Sequence, residues 1–150
     1  MPGQDRFGRV LLAGLFAVGG LLAGCAGTSA GSETHVLAMA PLHEMPMDVQ
    51  QAPVSVQEAY QFAAANPDVL QEIPCYCGCG AMGHKSSYAC YVAGVDEDGI
   101  ATYDPHALGC SICVDITQDT MRLFRDGQSL AQAREYVDQT YARYGPPNMP

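Results

Sequence analysis

The chain has 150 residues, with 16 acidic against 7 basic side chains and a formal net charge of −9. A surface this acidic disfavours nucleic acid as a partner and adhesion to anionic lipid through charge, and it gives cations a mildly attractive field. With no Trp, four Phe and seven Cys, the composition predicts one small core that gains from a sulfur staple or a metal.

Residues 1–24 predict an export leader. Arg6 and Arg9 make a short basic start, and Val10 through Leu22 form an apolar run too short for a comfortable membrane span. The run ends in Leu22-Ala23-Gly24-Cys25, which resembles the bacterial lipobox. That resemblance implies that Cys25 is the lipidated first residue of an exported protein, anchored to a bacterial membrane on its extracytoplasmic side. Loss of the leader removes Asp5, Arg6 and Arg9 and leaves the chain more acidic still.

Residues 25–54 read as a flexible tether, rich in Gly, Ser, Thr, Ala and Pro and without a sustained apolar period. Met39, His43, Met45 and Met47 interrupt it. Thioether and imidazole suit Cu(I), so these four make an auxiliary metal site conceivable, although methionine in a tether is also simply tolerated.

Residues 55–147 predict a mainly α domain, with three main helices, a Cys-rich irregular loop and a short β-hairpin. Ser55-Val56-Gln57-Glu58 has the form of a capping box and opens a helix that runs to about Ala65, where Asn66-Pro67 breaks it. Pro67 starts a short second turn that points Val69, Leu70 and Ile73 at the core before Pro74. Gly78, Gly80 and Gly83 keep residues 75–84 irregular. The runs 91–95 and 100–103 flank Asp96-Glu97-Asp98-Gly99 as a hairpin with an Asp-Gly turn, which lacks the spacing of a calcium loop. The next helix carries the stripe Ile112, Cys113, Ile116, Thr120, Leu123 and Phe124 and ends at Asp126-Gly127. Cys110 and Cys113 fall at its first turn, where the helix dipole favours thiolate. Ser129 and Gln132 form a capping box for the last helix, with Leu130, Ala133, Val137, Tyr141 and Tyr144 on one face.

The chemistry is concentrated between Pro74 and Cys113, where Cys75, Cys77, Cys79, Cys90, Cys110 and Cys113 are joined by His84 and His106. Three readings stand side by side. Thiolates spaced Cys-x-Cys-x-Cys suit sulfurs shared among several ions, which is the habit of Cu(I), and zinc is the other metal that this donor set accepts. His84 completes such a site or supports a thiolate, and His106 is an auxiliary candidate. Alternatively, six cysteines in an exported domain make three disulfides, although Cys75 and Cys77 cannot pair with each other without strain. The lone Cys110-x-x-Cys113 is a weak signal for thiol redox chemistry, since a βαβ context is missing. No Asp or Asn orienter and no oxyanion loop accompany His84, so no enzyme is read here.

The segment Pro74-Cys75-Tyr76-Cys77-Gly78-Cys79-Gly80, followed by His84, Ser86, Cys90 and Cys110-Ser111-Ile112-Cys113, resembles the bacterial family of exported lipoproteins named for its PCYCGC motif. The resemblance covers roughly residues 55–145 and implies that the six cysteines and His84 belong to one unit. It brings no settled biochemical function. The expectation is a lipid-anchored metal-binding protein, Cu(I) foremost and zinc possible, that captures, stores or delivers metal, with metal ions, the membrane and a metal-exchange protein as partners. A disulfide-stapled interaction lipoprotein is the alternative.

Overall fold

A computed structural model describes residues 36–150. The leader, Cys25 and the first part of the tether lie outside the described residues. Five helices carry the fold: α1 (Met47–Gln50), α2 (Val54–Ala65), α3 (Pro67–Leu70), α4 (Ser111–Arg125) and α5 (Leu130–Tyr141). One antiparallel hairpin, β1 (Val92–Val95) with β2 (Ala101–Tyr103), stands between α3 and α4. Among the described residues no helix is long and apolar enough to cross a membrane.

The three long helices pack together through α4, which lies against both α2 and α5. The core between them holds Tyr60, Phe62, Leu70, Ile73, Tyr91, Ile116, Met121 and Val137, all fully buried. Tyr60 and Tyr91 meet edge to face, with ring centroids 5.0 Å apart and planes at 84°, the arrangement that sets a positive ring edge against a negative face.

Local signals decide the ends of most elements. The capping box of α5 forms as its sequence demands: Ser129 Oγ accepts from the Gln132 amide at 3.3 Å, and the Ser129 amide donates to Gln132 Oε1 at 2.8 Å. At the end of α4, Gly127 adopts φ 75° and lets the Gln128 amide return to the Leu123 carbonyl at 2.9 Å, closing the last turn. The hairpin turn is tied by Asp96, whose Oδ1 accepts from the amides of Asp98 (3.1 Å) and Ile100 (2.7 Å).

Four sequence expectations are corrected. The Ser55/Glu58 capping box does not form, because α2 starts two residues earlier, with Pro53 at its N-cap and no side-chain cap. The start is secured instead by Gln57, whose Nε2 donates to the carbonyls of Gln50 and Ala52, both at 2.8 Å. Glu58 turns to α4, where Gln118 Nε2 donates to its Oε2 at 3.2 Å.

The buried stripe of α4 is Cys113, Val114, Ile116, Thr117, Thr120 and Met121, while Leu123 and Phe124 are only partly covered. The two threonines enter the core because their hydroxyls are satisfied there, Thr120 Oγ1 donating to the Ile116 carbonyl at 2.8 Å and Thr117 meeting Tyr91.

The stretch read as tether is part of the folded domain from its middle onward. Leu42–Glu44 form a 3₁₀ turn, α1 follows, and Met45 and Val49 are 4% and 1% exposed in the common core. At the other end the fold reaches past residue 147, since Asn148 is bonded to the cysteine loop.

Candidate metal centre

Three chain segments deliver the donors. The loop after Pro74 brings Cys75, Cys77 and Cys79, bent by Gly78 at φ 85° and by Gly83 at φ 94°, angles at which a side chain would be strained. A 3₁₀ turn (Tyr88–Cys90) brings Cys90, and the start of α4 brings Cys110 as N-cap and Cys113 one turn inside. His84 closes the loop, its amide donating to the Cys79 carbonyl at 3.3 Å. His106 opens the short 3₁₀ turn before α4.

All six cysteines of the described residues carry free thiols. Cys75 Sγ lies 3.4 Å from Cys113 Sγ and 3.5 Å from Cys77 Sγ, and the Cys77 and Cys113 sulfurs are 3.5 Å apart. Cys79 and Cys90 form a second sulfur pair at 3.5 Å, and Cys77 Sγ sits 3.4 Å from His106 Nε2. Four overlapping donor sets result: Cys77, His106, Cys110 and Cys113; Cys79, His84, Cys90 and His106; Cys75, Cys77 and Cys79; and Cys75, Cys90 and Cys113. Within each set the donor atoms all lie within 4.8 Å of one another. Sulfurs that share a tetrahedral zinc with Zn–S bonds of about 2.3 Å stand about 3.8 Å apart, so a few tenths of an ångström separate this packing from a ligating one.

Two observations bear on how these donors could hold a metal ion. Asp104 Oδ2 is 3.4 Å from His84 Nε2, the place from which a carboxylate orients an imidazole whose other nitrogen binds a metal. His84 Nδ1 is buried without a hydrogen-bond partner, a position that a metal ion would satisfy. The same carboxylate sets the second histidine, because its Oδ1 accepts from the His106 amide at 2.8 Å. Asp104 is itself locked, with its carbonyl accepting from Tyr60 Oη at 2.6 Å and its amide donating to the Tyr91 carbonyl at 2.8 Å.

The second observation is electrostatic. Cys113, in sulfur contact with Cys75, and then Cys90 beside it hold the Cys75 thiol well below its ordinary range. The others resist ionisation. Cys113 is pushed up by its bonds to Cys75 and Cys90 and by burial. Cys77 and Cys79 are pushed up by burial and then by the charge on Cys75. Cys113 acts to lower Cys90, but Cys75 and burial outweigh it and raise the thiol. In a buried nest of thiols, each further thiolate is costly unless a cation accompanies it.

Asn148 and Tyr91 brace the centre. Asn148 Oδ1 accepts from the Cys75 amide at 2.7 Å, its own amide donates to the Cys75 carbonyl at 3.0 Å, and its Nδ2 lies 3.5 Å from Cys79 Sγ. Tyr91 Oη donates to the Cys113 carbonyl and pairs with Thr117 Oγ1, each at 2.8 Å. Tyr91→Phe leaves the buried Thr117 hydroxyl without that partner. A loss of about 1–3 kcal/mol is expected in urea unfolding, with an unchanged denaturant slope.

Of the residues singled out from sequence, the six cysteines and His84 come together, and His106 joins both four-residue sets rather than standing at the margin. The Met/His segment does not behave as a unit: Met45 is buried in the core, whereas Met39 and Met47 are exposed and the His43 side chain is 80% exposed. Asp104 and Asn148 were not legible as site residues. Asp104-Pro105-His106 held the one hint, a carboxylate two residues before an imidazole.

The family description "protein of unknown function with PCYCGC motif" matches residues 15–150. Among the curated proteins and among the solved structures, none matches this chain.

Proposed function

We propose, since this chain belongs to the PCYCGC-motif family and that family has no known function to lend, that it is a metal-binding protein for soft ions. In this reading it holds Cu(I) above all, for capture, storage or delivery rather than for catalysis. The observation that carries it is the overlap of the four donor sets, in which Cys75, Cys77, Cys79, Cys90, Cys113 and His106 each serve two. Sulfurs shared in this way suit bridging thiolates, and thiolate with imidazole selects Cu(I) and zinc over hard cations. The lipobox-like Leu22-Ala23-Gly24-Cys25 supports export and a lipid anchor at Cys25. Delivery would require an acceptor protein with soft ligands of its own.

A zinc reading is favoured by the composition of two sets. Cys79, His84, Cys90 and His106 make a Cys₂His₂ group, and Cys77, His106, Cys110 and Cys113 make a Cys₃His group, both compositions of structural zinc sites. The two metals are separated by loading residues 26–150 anaerobically with Cu(I) and, separately, with zinc, and counting bound metal and reactive thiols. About six thiols before loading, protected by several Cu(I) ions, are expected. One or two zinc ions held in the presence of a Cu(I) excess would establish zinc instead. Oxidised thiols and no bound metal in protein purified from its native envelope would return the domain to a disulfide-stapled interaction module.

A further inference from the structure

The donors are not equally accessible. Cys77, His106 and Cys110 are half-buried, while Cys75, Cys90 and Cys113 are buried. Three of the four members of one set therefore face outward, and the set Cys75, Cys90 and Cys113 is wholly inside. Cys113 belongs to both, with its sulfur 3.4 Å from Cys75 and 3.5 Å from Cys77.

Of that set, Cys110 alone lines a cleft of about 320 Å³, which is walled by Pro53, Ser55, Val56, Leu108 and Asp115. That volume is at the small end of ligand clefts, enough for a few heavy atoms around an ion and too little for a folded protein loop. Gly109, beside Cys110, leaves the approach open, since a side chain there would meet nothing within 4 Å. The apolar walls suit an alkyl thiol, and the exposed Asp115 carboxylate disfavours an anionic one.

We propose that this cleft is the port of the metal centre, that Cys110 is its exchanging ligand, and that the ion arrives as a Cu(I) complex of a small neutral or cationic thiol. The proposal rests on the soft-metal reading above and adds the route and the form of the cargo. In the exchange step the bond from Cu(I) to the donor sulfur breaks as the bond to Cys110 Sγ forms. The Cys110 proton passes to the departing sulfur, which leaves as a thiol, and copper stays Cu(I). Cys113 then takes the ion inward, towards Cys75 and Cys90.

The test is anaerobic stopped-flow loading of the full chain in detergent with Cu(I)–cysteamine, following the ultraviolet absorbance of copper–thiolate bonds and then the copper retained after desalting. The wild type should load in two phases, the outer set first. Cys110→Ser should slow the first phase by roughly tenfold or more and lower the final copper by no more than one ion. Ser55→Trp, which fills the cleft and removes no ligand, should slow the same phase and leave the final copper unchanged. If both variants load as fast as the wild type, the port is overturned while metal binding stands. If the wild type retains no copper, the port falls together with the reading beneath it.

Discussion

Replacing Cys113 by serine should remove roughly half of the copper that a chain retains, more than replacing Cys110, which serves one set. Cys113 serves two of the four donor sets, and its sulfur lies 3.4 Å from that of Cys75 and 3.5 Å from that of Cys77. Serine there offers a hard oxygen in place of a soft sulfur, which does not hold Cu(I). The sets Cys79, His84, Cys90, His106 and Cys75, Cys77, Cys79 survive the change. Metal analysis after desalting reads the result, and circular dichroism establishes that α4 persists. A variant that holds as much copper as the wild type, as tightly, defeats the idea of shared sulfurs. The disulfide alternative gives a different signature, because Cys113→Ser would then expose one unpaired thiol and change no metal content.

The cysteine centre was legible in sequence because its chemistry is local: Cys75 to Cys79 occupy five consecutive residues, and glycines at 78, 80 and 83 announce a bent loop. The α5 capping box, the Gly127 helix end and the Asp96 turn were legible for the same reason, each being a pattern within four or five residues. What was not legible depends on distant partners. His106 reads as a surface histidine until the chain brings it beside Cys77, and Asp104 gains its role only when His84, twenty positions earlier, arrives at its carboxylate. Asn148 follows a Pro-Pro pair that ordinarily ends a domain, yet its side chain closes hydrogen bonds with a loop more than seventy residues away. Thr117 was left out of the α4 stripe because it reads as polar until its hydroxyl meets Tyr91, while Val114 and Met121 were missed by a stripe drawn through Leu123 and Phe124. Short elements fail differently. A 3₁₀ turn and a four-residue helix contain too few positions to show a period, so residues 42–50 resembled a linker.

Those same residues carry the second large effect. Met45→Ala should lower stability by about 2–5 kcal/mol, close to 10 °C or more in Tm for a domain of this size, and leave copper stoichiometry untouched. Met45 is 4% exposed, its carbonyl accepts from Gln50 Nε2 at 2.6 Å, and its amide donates to the Leu42 carbonyl at 3.1 Å. Val49 beside it is 1% exposed, and Gln61 ties the preceding strand of chain to α2 through the Ala40 carbonyl at 2.8 Å. The thioether is thus committed to the core, where truncation leaves a cavity. His43→Ala, at an exposed side chain, should change neither stability nor copper. Calorimetry and metal analysis on both variants decide the matter. Less copper with an unshifted Tm in Met45→Ala would make Met45 a ligand and restore the Met/His segment as an auxiliary site. A lowered Tm with full copper makes residues 42–50 a clasp on the core, and a fragment that begins at Ala52 would then be destabilised for the same reason.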